Sequence, residues 1–219
     1  MLDRLEAYVA LLLEANQHLN LTRVTEPVAV ARQHLLDALV ALPALDDVKP
    51  LRAVDIGSGG GVPAIPIAIA RPDLSWVLIE SVGKKARALA EFVDELGLAS
   101  VDVIADRAET LGHDPRHRER AGLATLRAVG ALPVLAELGM PLLAPGGLLL
   151  AWKGPLSARD DEVQRGARAL TGLGGGPPEI VPAGPPQLGD HTLVRSRKQR
   201  RTSTRFPRKP GEPARRPLG

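Results

Sequence analysis

Three alternate glycines behind a short apolar run constrain this chain more than any other stretch: Ala53-Val54-Asp55-Ile56-Gly57-Ser58-Gly59-Gly60-Gly61-Val62-Pro63-Ala64. Only glycine turns the backbone through positive φ at little cost and lets another molecule come within contact of its amides. Pro63 then opens an Ile/Ala-rich segment at a place where a missing N–H is harmless, because the first amides of a helix have no partner inside it. The pattern predicts a strand, a tight turn and a helix whose N-terminus faces a ligand.

Two nucleotide-type ligands compete for such a turn. The dinucleotide fingerprint G-x-G-x-x-G/A can be laid on Gly59, Gly61 and Ala64, but the more natural register from Gly57 and Gly59 meets Val62 where the third glycine belongs. The spacing Asp55-x-Gly57-x-Gly59-x-Gly61 instead resembles the first motif of class I methyltransferases, which bind S-adenosylmethionine. That ligand carries an ammonium and a sulfonium and no phosphate, so a carboxylate beside the turn suits it. A glycine turn that serves packing alone is the remaining alternative.

At 219 residues the chain suffices for one domain of ordinary size plus an appendage. It has no cysteine, which excludes a disulfide framework and thiol chemistry. The sequence shows no apolar run of spanning length free of charge or proline, and the first residues, Met1 to Glu6, are mixed in charge rather than signal-like. A cytoplasmic protein is expected, without membrane or metal. The net charge of +3 hides an asymmetry: residues 195–219 carry ten Lys or Arg against the single acid Glu212. Pro207, Pro210, Pro213 and Pro217 deny this segment a long helix, and its charge is the footprint of phosphate-backbone binding, with a solvated, disordered end as the alternative.

In order, Leu2, Leu5, Val9, Leu12 and Leu13 predict a first helix, and Val28, Ala31, Leu35, Leu39 and Leu42 a second, capped by Thr25 and started by Pro27. The polar Asn16–Thr22 stretch between them reads as a loop. His34 and Asp37 share the polar face of the second helix, where a lone histidine is more often structural than catalytic. From Arg52 strands and helices alternate, which predicts a parallel sheet covered on both faces. Trp76 to Glu80 is a buried strand ending in an acid at the distance from the glycine turn where nucleotide-binding folds place a ribose ligand, or else an N-cap partner for the next helix. Val101–Ala105 is the third strand and delivers Asp106-Arg107-Ala108-Glu109 to the adenine side. Leu123–Val129, a weaker strand, delivers Arg127 to the same rim, to hold an anion or to make a surface salt bridge. A helix to Leu143, a strand over Leu148–Trp152 and a hairpin of Ile180-Val181 with His191–Val194 complete the core. The divisions are a helical extension at 1–48 packed on the core, a methyltransferase domain at 49–196 and a basic Pro-rich tail at 197–219.

Taken together, these segments resemble the small-subunit ribosomal RNA methyltransferase G family, also called glucose-inhibited division protein B. The residues that carry the resemblance run through nearly the whole chain: Asn20-Leu21-Thr22, His34-Leu35-Leu36-Asp37, Asp55 to Pro66, Arg71-Pro72, Glu80-Ser81, Lys84 to Arg87, Arg107-Ala108-Glu109, Arg127-Ala128-Val129, Pro145-Gly146-Gly147, Lys153-Gly154 and Phe206 to Gly211 with Arg216-Pro217-Leu218. The resemblance implies an α/β, class I S-adenosylmethionine-dependent methyltransferase fold, a Rossmann-like doubly wound sheet with an N-terminal helical extension. It implies methyl transfer to N7 of a guanine in 16S rRNA, with the small ribosomal subunit as partner and a monomeric enzyme. Cofactor contacts then fall on Gly57, Val62, Ala108, Glu109 and Arg127, beside Asp55, Gly59 and Glu80 from the residue reading. Family members usually carry Phe or Leu at Val62, Gly at Ala64 and Asp at Glu80. Guanine N7 bears a lone pair and no proton, so no catalytic Asp-His arrangement is expected. Two other readings stay open: a non-catalytic RNA-binding or ribosome-assembly factor on the same fold, and a nicotinamide-dependent oxidoreductase.

Overall fold

Apolar runs too short for helices become the strands of one sheet: β1 (Ala53–Ile56), β2 (Trp76–Ile79), β3 (Val101–Ile104), β4 (Ala121–Arg127), β5 (Leu143–Lys153), β6 (Glu179–Pro182) and β7 (Thr192–Arg197). The structure is a computed structural model that describes residues 1–45, 52–184 and 189–219, so the expected boundary at residues 48 and 49 lies outside the described residues. The strand order is β3-β2-β1-β4-β5-β7-β6. β1 lies parallel between β2 and β4, while β7 runs antiparallel to both β5 and β6. Successive strands run outward from β1 to β3 and then restart on its other side with β4, so the winding order reverses beside β1, and ligands of open α/β sheets bind in the crevice beyond such a switch point.

Both faces of the sheet are covered, as continuous apolar strands require. Ala53 and Leu78 face one core with Tyr8, Leu12, Ile65, Leu89 and Phe92. Val54, Ile56, Val77 and Ile79 face the other with Leu132, Leu135, Leu170 and Phe206. Helices α1 (Leu2–Leu19), α4 (Ala64–Ala70) and α5 (Gly83–Glu95) line the first side, α7 (Leu132–Gly139) and α8 (Asp161–Leu173) the second. The inward set predicted for α5, Ala86, Leu89, Val93 and Leu96, is buried, and the helix ends at Glu95, with Leu96 as its cap and Gly97 following at φ +60.

Several boundaries differ from the sequence reading. The stretch Asn16–Leu19 continues α1, because its polar side chains face outward and nothing in it breaks a helix; the stop is Asn20, in the left-handed conformation at φ 50. The second helix is capped by Glu26, whose carboxylate accepts from the amides of Val28 and Ala29, rather than by Thr25. That helix opens as α2 (Pro27–Val30), widens into a π-helical turn over Ala31–Leu36 and closes as α3 (Asp37–Leu39). By length and composition the segment Pro27–Leu45 is apolar enough to cross a membrane, yet Val30, Ala38, Ala41 and Leu45 are buried in the first core. The helix expected to reach Leu143 stops at Gly139, and β5 starts at Leu143 and absorbs Pro145-Gly146-Gly147 through a register shift against β4.

The basic C-terminal segment packs onto the body. Its Lys198 ammonium is fully buried and donates to Glu119 and to the carbonyls of Met140 and Leu143. Arg208 forms a two-pronged pair with Glu137, which has no exposed surface. Four of the ten cations, Arg195, Lys198, Arg201 and Arg208, are thus engaged with acids of the chain itself. Arg208→Ala strands the Glu137 charge in the core, which is expected to cost about 3–5 kcal/mol in urea unfolding, whereas Lys209→Ala next door, at an exposed position, should stay within about 0.5 kcal/mol.

Candidate functional site

The glycine turn is crowded on three sides and open on one. Gly57, Gly59 and Gly61 have φ of +71, +55 and +91, all in the region that side chains avoid. The amides of Gly57 and Ser58 both donate to the Ile79 carbonyl, which ties the turn to the end of β2. A Cβ at Gly57 would stand 2.8 Å from Val129 Cγ2, and one at Gly60 would stand 2.7 Å from Leu12 Cδ1. At Gly61 it would collide with Ile65. Gly59 alone of these faces open space, with only the Gly57 carbonyl oxygen, 3.8 Å off, near its missing Cβ. From the other side the Tyr8 hydroxyl donates to the Gly60 carbonyl at 2.8 Å.

Two buried carboxylates attend the turn. Glu80, 6% exposed, accepts from the Gly59 amide at 2.9 Å and from the Val82 amide at 2.8 Å. It bonds the residue that leads into α5 and still keeps lone pairs for a ligand, since a carboxylate has about four acceptor sites. Asp55 is 1% exposed; its Oδ1 accepts from the Thr125 hydroxyl at 2.6 Å, and its Oδ2 has no partner. Burial pushes its carboxyl up to about 6, against the lowering effect of the Thr125 and Ser58 hydroxyls and the nearby Arg127 charge. The unmet oxygen lies behind the turn and leaves a buried negative charge there when the group is ionised.

On the opposite rim, Arg127 at the end of β4 holds a polar network. It donates to the Gln33 carbonyl at 2.7 Å, pairs with Asp37 at 3.0 Å and donates to His34 Nδ1 at 3.4 Å. With Nδ1 accepting, the His34 proton sits on Nε2 and is donated to the Thr22 hydroxyl at 2.7 Å. Burial first, then the Arg127 charge, hold the imidazole below its ordinary pKa and so neutral. Asp37 also meets His191 at 3.3 Å, and its carbonyl accepts from the Trp152 indole at 2.8 Å. The π-helical turn is what aims Gln33, His34 and Asp37 at one guanidinium, a recurrent use of this rare geometry. Ala128 follows with φ +57, a backbone outlier of the kind that clusters at functional rims.

The structure divides the expected contacts between two adjoining cavities. Gly57, Gly59, Val62, Glu80 and Arg127 line one of about 450 Å³, together with Thr22, Arg23, His34 and Lys85. Ala108 and Glu109, at the start of α6 (Ala108–Leu111), line a smaller one of about 80 Å³ with Asp106 and Val129, and Gly57 belongs to both. Asp55 lines neither and lies behind the turn. Glu109 is 6% exposed and accepts from the Gly211 amide at 2.8 Å, so the C-terminal segment holds one of the side chains that line the second cavity. Sequence reasoning gave no site role to Tyr8, Thr22, His191 or Gly211, although Thr22 and Gly211 stand in segments that carry the family resemblance. It also set aside His34 and Asp37, whose three-residue spacing was the available signal.

The model of a protein family described as rRNA small subunit methyltransferase G matches residues 1–181. A protein of Deinococcus deserti named ribosomal RNA small subunit methyltransferase G is 40% identical over the whole chain and 89% of its own length. One of the same name from Pelotomaculum thermopropionicum is 42% identical, over 97% of this chain and 89% of its own. Among solved structures, the apo form of the S-adenosylmethionine-dependent methyltransferase SibL superposes with a TM-score of 0.61 at 18% identity, over 84% of this chain and 62% of that one. The mitomycin 7-O-methyltransferase MmcR gives 0.59 at 19% identity, over 78% and 54%. These two likenesses concern the fold.

The raised Asp55 pKa fixes a pH signature. Between the ordinary 3.8 and about 6 the folded chain binds a proton that the unfolded chain has released, so this group's contribution to stability is lost as pH rises through that window. Asp55→Asn keeps an acceptor for Thr125 and removes the buried charge. The variant is expected to be roughly 2–3 kcal/mol more stable than the parent at pH 7, with the gain fading toward pH 4, in urea melts taken across that range.

Proposed function

The chain belongs to the rRNA small subunit methyltransferase G family, and on that premise we propose that it transfers methyl from S-adenosylmethionine to N7 of a guanine in 16S rRNA of the small ribosomal subunit, acting as a monomer in the cytoplasm. The observation that carries the choice of cofactor is the pair of buried carboxylates at the glycine turn, Asp55 with an unmet oxygen and Glu80 on the Gly59 amide. Glu80 on the cavity wall, with the Asp55 charge behind the turn, favours an ammonium and a sulfonium over a pyrophosphate, which disfavours the nicotinamide reading. Cations line the outer part of the same cavity, Arg23, Lys85 and Arg127, where a ligand carboxylate is welcome.

Within this reading Gly57, Gly59 and Val62 give the ligand a close backbone wall, Glu80 takes the ribose hydroxyls, Ala108 and Glu109 flank the adenine, and Arg127 closes the methionine end. Asp55 acts through the turn as a fixed negative charge. Bound S-adenosylmethionine supplies an electrophilic methyl, which the N7 lone pair takes as the sulfur–carbon bond breaks. Because N7 has no proton to lose, the chain needs no general base, and His34, neutral and hydrogen-bonded through both ring nitrogens, is not offered as one. The contribution left to the protein is alignment in a site sheltered from water, worth on the order of 7–11 kcal/mol. The exposed cations Arg200, Arg205, Lys209, Arg215 and Arg216 of the C-terminal segment supply phosphate-binding groups, as do Lys84 and Arg87 of α5 on the other side of the sheet.

Gly59 gives the sharper test of the cofactor site, because a side chain at Gly57 would strike Val129 as well as a ligand. Gly59→Ala should cost the fold only about 1 kcal/mol, the usual penalty of a left-handed alanine, yet lower S-adenosylmethionine affinity by roughly tenfold or more in calorimetric titration. Undiminished affinity in the folded variant would contradict the placement. Thermal stabilisation by S-adenosylmethionine and not by NAD separates the methyltransferase reading from the oxidoreductase, and methyl transfer to small subunits separates it from a non-catalytic factor.

A further inference from the structure

Behind Arg127, on the side away from the glycine turn, lies a third cavity of about 250 Å³, lined by Asp37, Arg127, Ala128, Trp152, Lys153 and His191 among others. It shares Arg127 and Ala128 with the larger cofactor cavity, so the two hollows meet at one guanidinium and one left-handed residue. Its size admits a single base and excludes a helix.

The chemistry of its wall is specific. Arg127 and Asp37 stand side by side at 3.0 Å, a donor next to an acceptor, both largely buried, with side-chain exposures of 20% and 4%. The pair is not saturated. Among the described residues, three of the five guanidinium N–H groups are committed, to the Gln33 carbonyl, Asp37 and His34, and the carboxylate uses one oxygen for Arg127 and the other for His191. The backbone of Asp37 is held by the Trp152 indole, so the acceptor has a fixed position. A guanine offers, in sequence around its edge, N7, the O6 acceptor and the N1–H donor. Adenine reverses the last two, with a donor at position 6 and an acceptor at N1.

We propose that this cavity receives the acceptor guanine and that the Arg127–Asp37 ion pair reads it, Arg127 donating to O6 and Asp37 accepting from N1–H. This leaves N7 toward the Arg127–Ala128 rim, next to the cofactor cavity. An adenine entering the same way would set an amino group against a guanidinium and a bare nitrogen against a carboxylate. Selectivity thus comes from an ion pair that the fold already maintains. The inference rests on the guanine-N7 reading given above and adds to it the group that recognises the base.

The test uses small subunits reconstituted with 16S rRNA in which the methylated guanosine, located by mass spectrometry, is replaced by 2,6-diaminopurine. That base keeps N7 and the 2-amino group and reverses only positions 6 and 1. The intact protein should prefer guanosine by roughly a hundredfold in kcat/KM for methyl transfer. In Asp37→Asn, where an amide can serve N1 of diaminopurine, the preference should shrink by roughly tenfold or more while the Kd for S-adenosylmethionine changes by less than about threefold. Asp37→Glu, which keeps the charge, should retain most of the preference. Equal transfer to both bases by the intact protein overturns the proposal without any variant, and so does an unchanged preference in folded, cofactor-binding Asp37→Asn. Absence of any transfer to guanosine subunits would instead count against the function reading beneath it.

Discussion

The hydrogen bond from the Tyr8 hydroxyl to the Gly60 carbonyl joins the first helix to the turn at the end of β1, and the site depends on that junction. A main chain that reverses through three glycines has little stiffness of its own, since glycine has the most conformational freedom to lose. Stiffness comes from outside: Leu12 and Tyr8 of α1, Ile65 of α4 and Val129 after β4 all sit where a Cβ on the turn would be or against its carbonyls. Tyr8 is fully buried, and burial holds its hydroxyl well above the ordinary phenol range, so it remains a donor at any ordinary pH. The helical extension is therefore one wall of the site as well as a cover for the sheet.

Polarity is arranged around this turn in two layers. Acidic groups lie beneath, where Asp55 keeps a charge that burial opposes, and basic groups stand at the rim, where Arg127 is held by Gln33, His34 and Asp37. Burying Asp55 with one oxygen unmet is a cost the fold carries, and removing that cost would stabilise the chain at the expense of the field felt by a ligand. The network at the rim has the opposite character. Each member meets a partner, and the partners come from the π-helical turn, β4, β5 and the segment before β7, so four distant stretches agree on one geometry.

Much of this was legible from residues alone. The glycine turn, Glu80 at the end of β2, the inward face of α5 and the closing hairpin follow from periodicity and from turn chemistry, which act locally. Other features were not local. Asn16–Leu19 read as a loop because polarity was taken for a break, whereas a solvent-facing turn of helix needs no apolar residues. His34 and Asp37 looked like ordinary surface residues, since only the π-helical widening, which leaves no mark in composition, brings them to Arg127. Likewise the +9 segment read as one basic surface, because the acids that absorb four of its cations, Glu119, Glu137 and Glu179, lie far off in the chain.

Glu109 accepts the amide of Gly211, while Tyr8 and Leu12 press on Gly60. Residues near the two ends of the sequence thus brace two adjoining hollows that meet at Gly57. A cut of the chain after Arg197 and before Gly211 would leave the sheet and the glycines in place but would take away the amide that the buried Glu109 carboxylate accepts, so a local loss at one end would be felt as an unmet charge beside the site.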